Sequence, residues 1–170
     1  TCWDEGGAVA ERGHEPVMVD EVLRFLGQAT TVMDMTLGAG GHAEALLASG
    51  VEWVIGLDRD PVAIELATAR LARFGERFAA VQTRFSDVPA ENRVDGVLYD
   101  LGVSSMQLDR PERGFSYRAD GPLDMRMGPD GPTAADLVAT ASRDELTRIF
   151  REWGEERMAG PIARRVVEAR

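Results

Sequence analysis

A glycine-rich segment, Asp-Met-Thr-Leu-Gly-Ala-Gly-Gly-His at residues 34–42, follows an apolar run typical of a β-strand and precedes a run typical of a helix. A glycine-rich turn in this position lets the backbone approach a ligand closely, and the first N–H groups of the helix are free to bind it. Asp58 closes the next apolar run, where a carboxylate is placed to accept hydrogen bonds from ribose hydroxyls. These residues predict a site for a nucleoside-containing cofactor.

The glycine spacing and the acidic residues favour one nucleoside over another. The glycines of the turn are Gly38, Gly40 and Gly41. A dinucleotide site needs the spacing G-x-G-x-x-G, so the third glycine is misplaced. Asp34 stands directly before the turn, where it would repel a pyrophosphate but attract an ammonium or sulfonium group. Asp34, Asp58 and Asp100, each at the end of a predicted strand, therefore favour S-adenosylmethionine over NAD.

Hydrophobic periodicity predicts the elements that position these residues. It predicts strands over 31–35, 52–57, 78–84 and 94–99, and helices over 17–26, 40–49 and 61–74. Asp60 is a candidate N-cap with Pro61 at the first helical position, and Gly50 is a candidate helix stop. Apolar strands connected by helices predict an α/β fold with a parallel, doubly wound, Rossmann-like sheet.

The pattern changes after the fourth predicted strand. Residues 101–131 show no periodicity and are rich in Gly, Pro, Asp and Arg, which predicts a long functional loop. Helices are predicted over 133–140 and 155–169, with a third that begins at a capping box formed by Ser142 and Glu145.

These patterns predict two parts of the chain. Residues 1–108 form a nucleoside-binding core with four strands, and residues 109–170 form a lid loop and the start of a helical insertion for substrate recognition. In a doubly wound order, strand 4 would leave an apolar sheet edge uncovered, so we expect further strands after Arg170.

Composition limits the classes of function. The chain of 170 residues is 44% hydrophobic, which suffices for a buried core, and no apolar run approaches the ~18 residues of a membrane span. A single cysteine, Cys2, and the lack of a signal-peptide pattern at the first residues favour a cytoplasmic protein without disulfides. We predict no metal site and no membrane contact.

The charge is unevenly distributed along the chain. A net charge of −10 argues against a nucleic-acid partner. However, residues 1–100 carry 17 acidic and 8 basic side chains, whereas residues 101–170 carry 12 and 11. Every basic side chain other than histidine is arginine, which suits phosphate contacts. The arginines of the second part are consistent both with an RNA contact and with a solvated face.

A series of motifs in the chain resembles the ribosomal RNA small-subunit methyltransferase H family, also called MraW. In order, these motifs are His14–Met18, Asp34–His42, Gly56–Pro61, Asp100–Ser105, Arg113–Tyr117, Asp120–Met127 and Trp153–Arg157. The segments 100–105 and 120–127 are the distinctive ones, because generic methyltransferases lack them. Members of the family are longer, with further strands after a helical insertion.

The resemblance implies a class I methyltransferase that acts in ribosome biogenesis. It implies transfer of a methyl group from S-adenosylmethionine to N4 of a cytidine in the decoding centre of 16S ribosomal RNA. The cofactor contacts that it implies are Gly40, Gly41, His42, Asp58, Phe85, Asp100 and Gln107. Phe85 follows strand 3 and would pack on adenine. Without the resemblance to this family, His42 is better interpreted as a histidine at the start of a helix whose hydrogen bonds are satisfied within the protein. Gln107 is then better interpreted as an exposed amide in a loop.

Asp100 is the candidate catalytic residue. Its carboxylate would accept a hydrogen bond from the cytosine amino group, or it would serve only the cofactor. Residues 109–127 are the candidate RNA contact, with Arg113, Phe115, Tyr117 and Arg118. Phe115 or Tyr117 would stack on an extruded cytosine or pack onto the sheet, and both interpretations are open. Asp124 would hold Arg126 or Arg118.

Other functions are compatible with the same residues. One is a methyltransferase of another substrate class, which the acidic first hundred residues favour. Another is an inactive cofactor- or RNA-binding fragment. The expected partner is the small ribosomal subunit, and the sequence leaves a homodimer open.

Overall fold

The computed structural model describes residues 16–89 and 93–170. The chain divides into two compact units, Thr1–Gly102 and Val103–Arg170. The sequence places the boundary between core and insertion after Leu108, a few residues later. The role of 109–170 in substrate recognition remains a prediction.

The first unit is an α/β structure. Its strands are β1 (Thr31–Asp34), β2 (Trp53–Asp58), β3 (Phe78–Gln82) and β4 (Gly96–Leu98), and its helices are α1 (Val19–Leu26), α2 (Gly41–Ser49) and α3 (Pro61–Leu71). The strands are parallel and lie in the order β3-β2-β1-β4. This confirms the predicted parallel, Rossmann-like sheet. Because all strands run in one direction, the residues that end them meet at one edge of the sheet.

The core of this unit lies between the sheet and the helices. Val32 of β1 and Val54 of β2 pack with Leu46, Leu47 and Leu71 from α2 and α3, and all five are almost completely buried. Neighbouring strand residues point the other way, because side chains alternate along a strand. They line a cavity of about 340 Å³ together with the segment after β3; its walls include Met33, Ile55, Leu57, Val81, Thr83, Asp87, Val88 and Pro89.

The capping signals in the sequence correspond to observed helix ends. The Asp60 carboxylate accepts a hydrogen bond from the Val62 N–H at 3.0 Å, and Pro61 opens α3. Gly50 ends α2 with φ 115°, a conformation that glycine adopts readily. The helix expected over 61–74 ends earlier, at Leu71, and a 3-10 segment follows as far as Arg77.

The second unit contains short helices. They are α4 (Ser105–Leu108), α5 (Ala134–Thr140), α6 (Arg143–Glu152) and α7 (Ala159–Ala169). Helices α6 and α7 pack through Leu146 and Ala163, and Ala141, which lies between α5 and α6, belongs to the same cluster. The Ser142 hydroxyl accepts from the Glu145 N–H at 3.2 Å, as the capping box predicts. The helix expected from residue 155 begins only at Ala159, since Glu155 has φ 51° and interrupts the helical backbone.

The region expected to be a long loop, 101–131, also contains short helical segments. It contains α4 and a 3-10 turn at Pro111–Arg113. None of the helices in residues 16–89 and 93–170 is long and apolar enough to cross a membrane.

Candidate cofactor site

The glycine turn joins β1 to α2 and needs glycine for two reasons. Gly38 and Gly40 have φ values of 52° and 79°, in the left-handed region that other residues rarely adopt. In addition, a Cβ at Gly40 would lie 3.0 Å from Leu71 Cδ1 and 3.2 Å from the Ala67 Cβ. The turn therefore lies closely against α3.

Asp58 fixes this turn to the end of β2. Its Oδ2 accepts a hydrogen bond from the Gly38 N–H at 2.9 Å, and its Oδ1 accepts from the Asp60 N–H at 2.9 Å. Each carboxylate oxygen has a further lone pair with which it can accept another donor. Asp58 thus holds the turn in place and still has the capacity to accept a ribose hydroxyl.

Asp34 is a buried carboxylate at the end of β1, with only 1% of the residue exposed. Its Oδ1 accepts from the Thr36 N–H at 3.1 Å. Its Oδ2 is buried and has no hydrogen-bond partner in the described part of the chain. Burial raises the pKa of Asp34 to about 6, although the Thr36 N–H and His42 act to lower it. A cationic donor at this oxygen would complete the site.

The carboxylates at the strand ends act on one another. The negative charges of Asp100 and Asp58 contribute to the raised pKa of Asp34, so the structure brings together all the predicted acids. The Asp100 N–H donates to Thr36 Oγ1 at 2.7 Å, which ties the segment after β4 to the glycine turn. The Asp100 residue is exposed, whereas Asp34 is enclosed.

His42 lies in the first turn of α2 and is 6% exposed. Its Nε2 donates to the Val17 carbonyl at 2.7 Å, so this nitrogen carries the proton. The contact anchors the start of α2 to the chain before α1. The interpretation as a satisfied helix-start histidine therefore describes its observed contact, and a contact between His42 and the cofactor remains a prediction.

Two aromatic residues meet near the same edge of the sheet. Phe85 follows β3 and Tyr99 follows β4, and their ring centroids are 5.7 Å apart with the planes at 90°. Each residue is about half exposed, Phe85 at 48% and Tyr99 at 49%. The sequence motifs indicate Phe85 as a site residue but not Tyr99. Its position directly before Asp100 was the signal that could have indicated it.

Gln107 belongs to the second unit and differs from the exposed amide that the residues alone predict. It is 7% exposed, and its Oε1 accepts from the Ser104 N–H at 3.0 Å at the start of α4. The expectation of an exposed amide is wrong because the side chain folds back to cap the short helix. Its contact with the cofactor stays a prediction.

The candidate RNA residues fall into two groups in the second unit. The Arg113 guanidinium donates to the Arg126 carbonyl at 3.1 Å, and Phe115 is half-buried. In contrast, Tyr117 is 98% exposed and Arg118 is also exposed. The structure therefore brings Arg113 and Phe115 into the base of the loop and leaves Tyr117 and Arg118 at its surface.

The base of this loop is rigidly connected. Arg126 donates from Nε and Nη2 to the two Asp124 oxygens at 2.9 and 2.7 Å, so Asp124 holds Arg126 and not Arg118. These bonds lower the pKa of Asp124 to about 2. A Cβ at Gly114 would lie 2.3 Å from the Pro122 carbonyl oxygen, so the two sides of the loop approach as closely as backbone allows.

A metal site is not evident in this part of the molecule. The described residues contain no group of three or more His, Cys, Asp or Glu side chains that could hold a metal ion.

A parallel sheet with a glycine turn after its first strand and acids at its strand ends defines the Rossmann-like, nucleoside-binding class of α/β proteins. Within this class, the MraW methylase family model matches residues 11–170. The chain therefore belongs to the MraW methylase family, which confirms the resemblance of its motifs.

Curated relatives support the same family. Ribosomal RNA small subunit methyltransferase H of Myxococcus xanthus is 54% identical over 162 residues, covering 92% of this chain and 53% of that protein. The protein of the same name from Corynebacterium jeikeium is 49% identical over 187 residues, covering 94% and 55%. The chain spans about half the length of the curated relatives it matches.

Solved structures match less closely. P. horikoshii TYW2 in complex with MeSAdo has a TM-score of 0.46 and 21% identity, over 86% of this chain and 55% of that chain. The fold assignment rests on the observed strand order and not on this similarity.

Proposed function

We propose that the protein is an S-adenosylmethionine-dependent methyltransferase that modifies small-subunit ribosomal RNA in the cytoplasm. The observation that carries the cofactor assignment is the buried Oδ2 of Asp34 beside the glycine turn, which has no partner among the described residues. An anionic oxygen in an enclosed site favours a cation, and S-adenosylmethionine carries an ammonium and a sulfonium group. The RNA assignment rests on the names of the curated relatives.

The residues at the carboxyl edge of the sheet have the chemistry to hold this cofactor. Asp34 would accept from the ammonium group, and the remaining lone pairs of Asp58 would accept from the ribose. The backbone of Gly38, Gly40 and Gly41 would lie against the methionine end. His42, Phe85 and Gln107 complete the proposed set. When bound, the cofactor supplies an activated methyl group.

Asp100 is the proposed catalytic residue for methylation of cytidine at N4. The cytosine amino lone pair is delocalised into the ring and is therefore a poor nucleophile. The Asp100 carboxylate would accept a hydrogen bond from that amino group and draw the lone pair out of conjugation. The same oxygen would take the proton after transfer. The hydrogen bond from the Asp100 N–H to Thr36 Oγ1 holds the backbone at Asp100 in place. A carboxylate held in this way would act mainly by positioning the cytosine amino group for attack on the methyl group.

The exposed tip of the second unit is the proposed RNA contact. Tyr117 has almost its whole ring accessible for stacking on a base, and the exposed Arg118 can reach a phosphate. Arg113 and Phe115 would act indirectly, because they hold the base of the loop. Residues 109–170 would thus serve as lid and recognition segment.

Transfer to RNA tests the proposal directly. The chain is incubated with S-adenosylmethionine and small subunits that lack the modification, and the methylated nucleoside is identified by mass spectrometry. We expect N4-methylcytidine at a single position. Asp100→Ala should abolish transfer; retained binding of S-adenosylhomocysteine would assign Asp100 to catalysis, and lost binding would assign it to the cofactor. Turnover by Asp100→Ala with intact cofactor binding would show that Asp100 is not catalytic.

A second candidate function is cofactor or RNA binding without catalysis. It needs only the strand-end acids and the exposed Tyr117 and Arg118, and not the catalytic role of Asp100. Calorimetry with S-adenosylhomocysteine tests whether the cofactor site binds its ligand, which both candidate functions require. Binding without methyl transfer would support the second candidate, and the absence of binding would contradict the cofactor assignment.

A further inference from the structure

Phe85 and Tyr99 come from opposite edges of the sheet. In the order β3-β2-β1-β4, three strand spacings of about 4.8 Å separate β3 from β4, roughly 14 Å in total. The Thr83 N–H still donates to the Asp58 carbonyl at 2.9 Å, so the chain remains beside β2 at residue 83. The segment that follows passes over the sheet, because Asp87, Val88 and Pro89 line the cavity together with residues of β1 and β2. The Phe85 ring in this segment contacts Tyr99.

The rings of Phe85 and Tyr99 form an aromatic corner at this edge. They are perpendicular, with centroids 5.7 Å apart, which is a favoured aromatic geometry. About half of each residue remains exposed, although both are large and apolar. Tyr99 is also adjacent to Asp100, whose backbone is tied to Thr36 in the glycine turn. The aromatic corner therefore lies on the same rigid edge as the strand-end acids.

We propose that Tyr99 positions the Phe85 ring as a stacking surface for the purine base of the nucleoside ligand. This inference rests on the proposed function, since it concerns the same cofactor site. A flat base can stack on one ring of a perpendicular pair while its edge meets the other ring. Without Tyr99, the Phe85 side chain would rotate away, because the short 3-10 turn at Phe85–Asp87 has no buried residue to hold it.

The experiment is a double-mutant cycle on ligand affinity, measured by calorimetry on the whole chain. The variants are Tyr99→Leu, Tyr99→Phe, Phe85→Leu and the Tyr99→Leu/Phe85→Leu pair. The ligands are S-adenosylhomocysteine and 5′-methylthioadenosine, which lacks the amino-acid end. The matched control is Phe25→Leu on α1, an aromatic residue that is 76% exposed and outside the aromatic corner. Circular dichroism shows which variants are folded.

We expect Tyr99→Leu to weaken both ligands by about three- to tenfold, and Phe85→Leu by about fivefold or more. Tyr99→Phe should retain the wild-type affinity, because the ring and not the hydroxyl makes the contact. Once Phe85 is replaced by leucine, the loss of Tyr99 should have little further effect. Phe25→Leu should change neither affinity.

The outcomes distinguish this inference from the proposed function. If the wild-type chain binds neither ligand, the proposed function fails and the inference fails with it. If the wild-type chain binds and Tyr99→Leu does not weaken 5′-methylthioadenosine, only the inference is overturned. Equal losses from Tyr99→Leu in the wild-type and Phe85→Leu backgrounds would also overturn it, because the two rings would then act independently.

Discussion

Asp34 is the residue at which stability and ligand binding conflict most directly. One of its oxygens accepts from the Thr36 N–H, and the other is buried without a partner among the described residues. Burying an unpaired carboxylate is costly, and the raised pKa of about 6 reports that cost. A cation bound at this oxygen would offset the cost. The unpartnered carboxylate oxygen therefore supports the proposed cofactor contact at Asp34.

The first prediction concerns the pH dependence of stability. Because the pKa of Asp34 is raised on folding, its stabilising contribution is full below about pH 4 and is lost as the pH rises through about 6. Because asparagine cannot ionise, Asp34→Asn removes this pH-dependent loss of stability. Without ligand, the Asp34→Asn variant should gain stability relative to wild type between pH 4 and 7, by about 3 kcal/mol at most. Urea denaturation at several pH values measures the difference.

The same substitution should weaken binding of S-adenosylhomocysteine by at least about tenfold, the effect of losing one charge-assisted hydrogen bond. Asp87→Asn, at an exposed aspartate, is the control for the stability measurement and should change the free energy of unfolding little. An Asp34→Asn protein that is no more stable than wild type at pH 7 would contradict the cost assigned to the buried carboxylate.

At the scale of elements, α2 depends on contacts at both of its ends. At its start, Gly40 has a left-handed backbone and lies against Leu71 and Ala67 of α3. At its end, Arg77 Nη2 donates at 2.9 Å to the Leu47 carbonyl in the last turn of α2 and at 2.7 Å to the Val51 carbonyl just after the helix. Carbonyls at a helix terminus otherwise lack partners within the helix. The position of the glycine turn therefore follows from the packing of the helices on the sheet.

The second prediction compares two glycines. Gly40→Ala should destabilise the protein by more than Gly50→Ala, because both residues have positive φ but only Gly40 lacks space for a Cβ. Left-handed strain alone costs about 1–2 kcal/mol, which is the expected effect at Gly50. Chemical denaturation of the two variants without ligand gives the comparison. Equal losses would mean that α3 yields to the added methyl group.

The third prediction concerns Arg77. Arg77→Met keeps an apolar stem but removes the donors for the carbonyls at the end of α2, so it should lower the free energy of unfolding by about 1–3 kcal/mol. Arg84→Met, at an exposed arginine, is the matched control and should change stability little. Thermal and urea unfolding would both detect the effect. A neutral Arg77→Met would show that water satisfies these carbonyls equally well.

At the scale of the whole molecule, the charge distribution constrains how the proposed RNA partner would bind. The net charge of −10 opposes a broad electrostatic attraction to phosphate. Acidic residues are concentrated in residues 1–100, whereas residues 101–170 are almost balanced. RNA binding, if the proposed function holds, should therefore depend on a few defined contacts of the second unit and not on a general basic surface.

The fourth prediction follows from this distribution. The logarithm of the affinity for single-stranded RNA should fall only slightly as the logarithm of the salt concentration rises. Arg118→Gln should reduce the magnitude of that slope by about 0.7. Arg148→Gln is the control, since Arg148 is paired with Glu152 on α6 at 3.2 Å. Fluorescence anisotropy across a salt series measures both. An unchanged slope for Arg118→Gln would remove Arg118 from the RNA contact.

Local sequence signals predicted much of the fold. The strand and helix runs of residues 31–82, the Asp60 cap and the Gly50 stop are observed within a few residues. They succeed because hydrophobic periodicity and capping involve residues within one or two turns of each other. Element ends were less predictable. The helix expected from 155 begins at Ala159, because a single residue with positive φ, Glu155, carries no strong compositional signal.

The sequence by itself determined the family, the parallel sheet and the gathering of Asp34, Asp58 and Asp100 at one edge. These follow from local patterns and from the rule that parallel strands end together. Only the tertiary structure decided what each side chain does there. It shows that Asp58 already holds the turn, that Gln107 is buried, and that Phe85 meets Tyr99. Apart from the local cap made by Gln107, those contacts join residues that are distant in the chain, and their geometry depends on how the whole backbone packs.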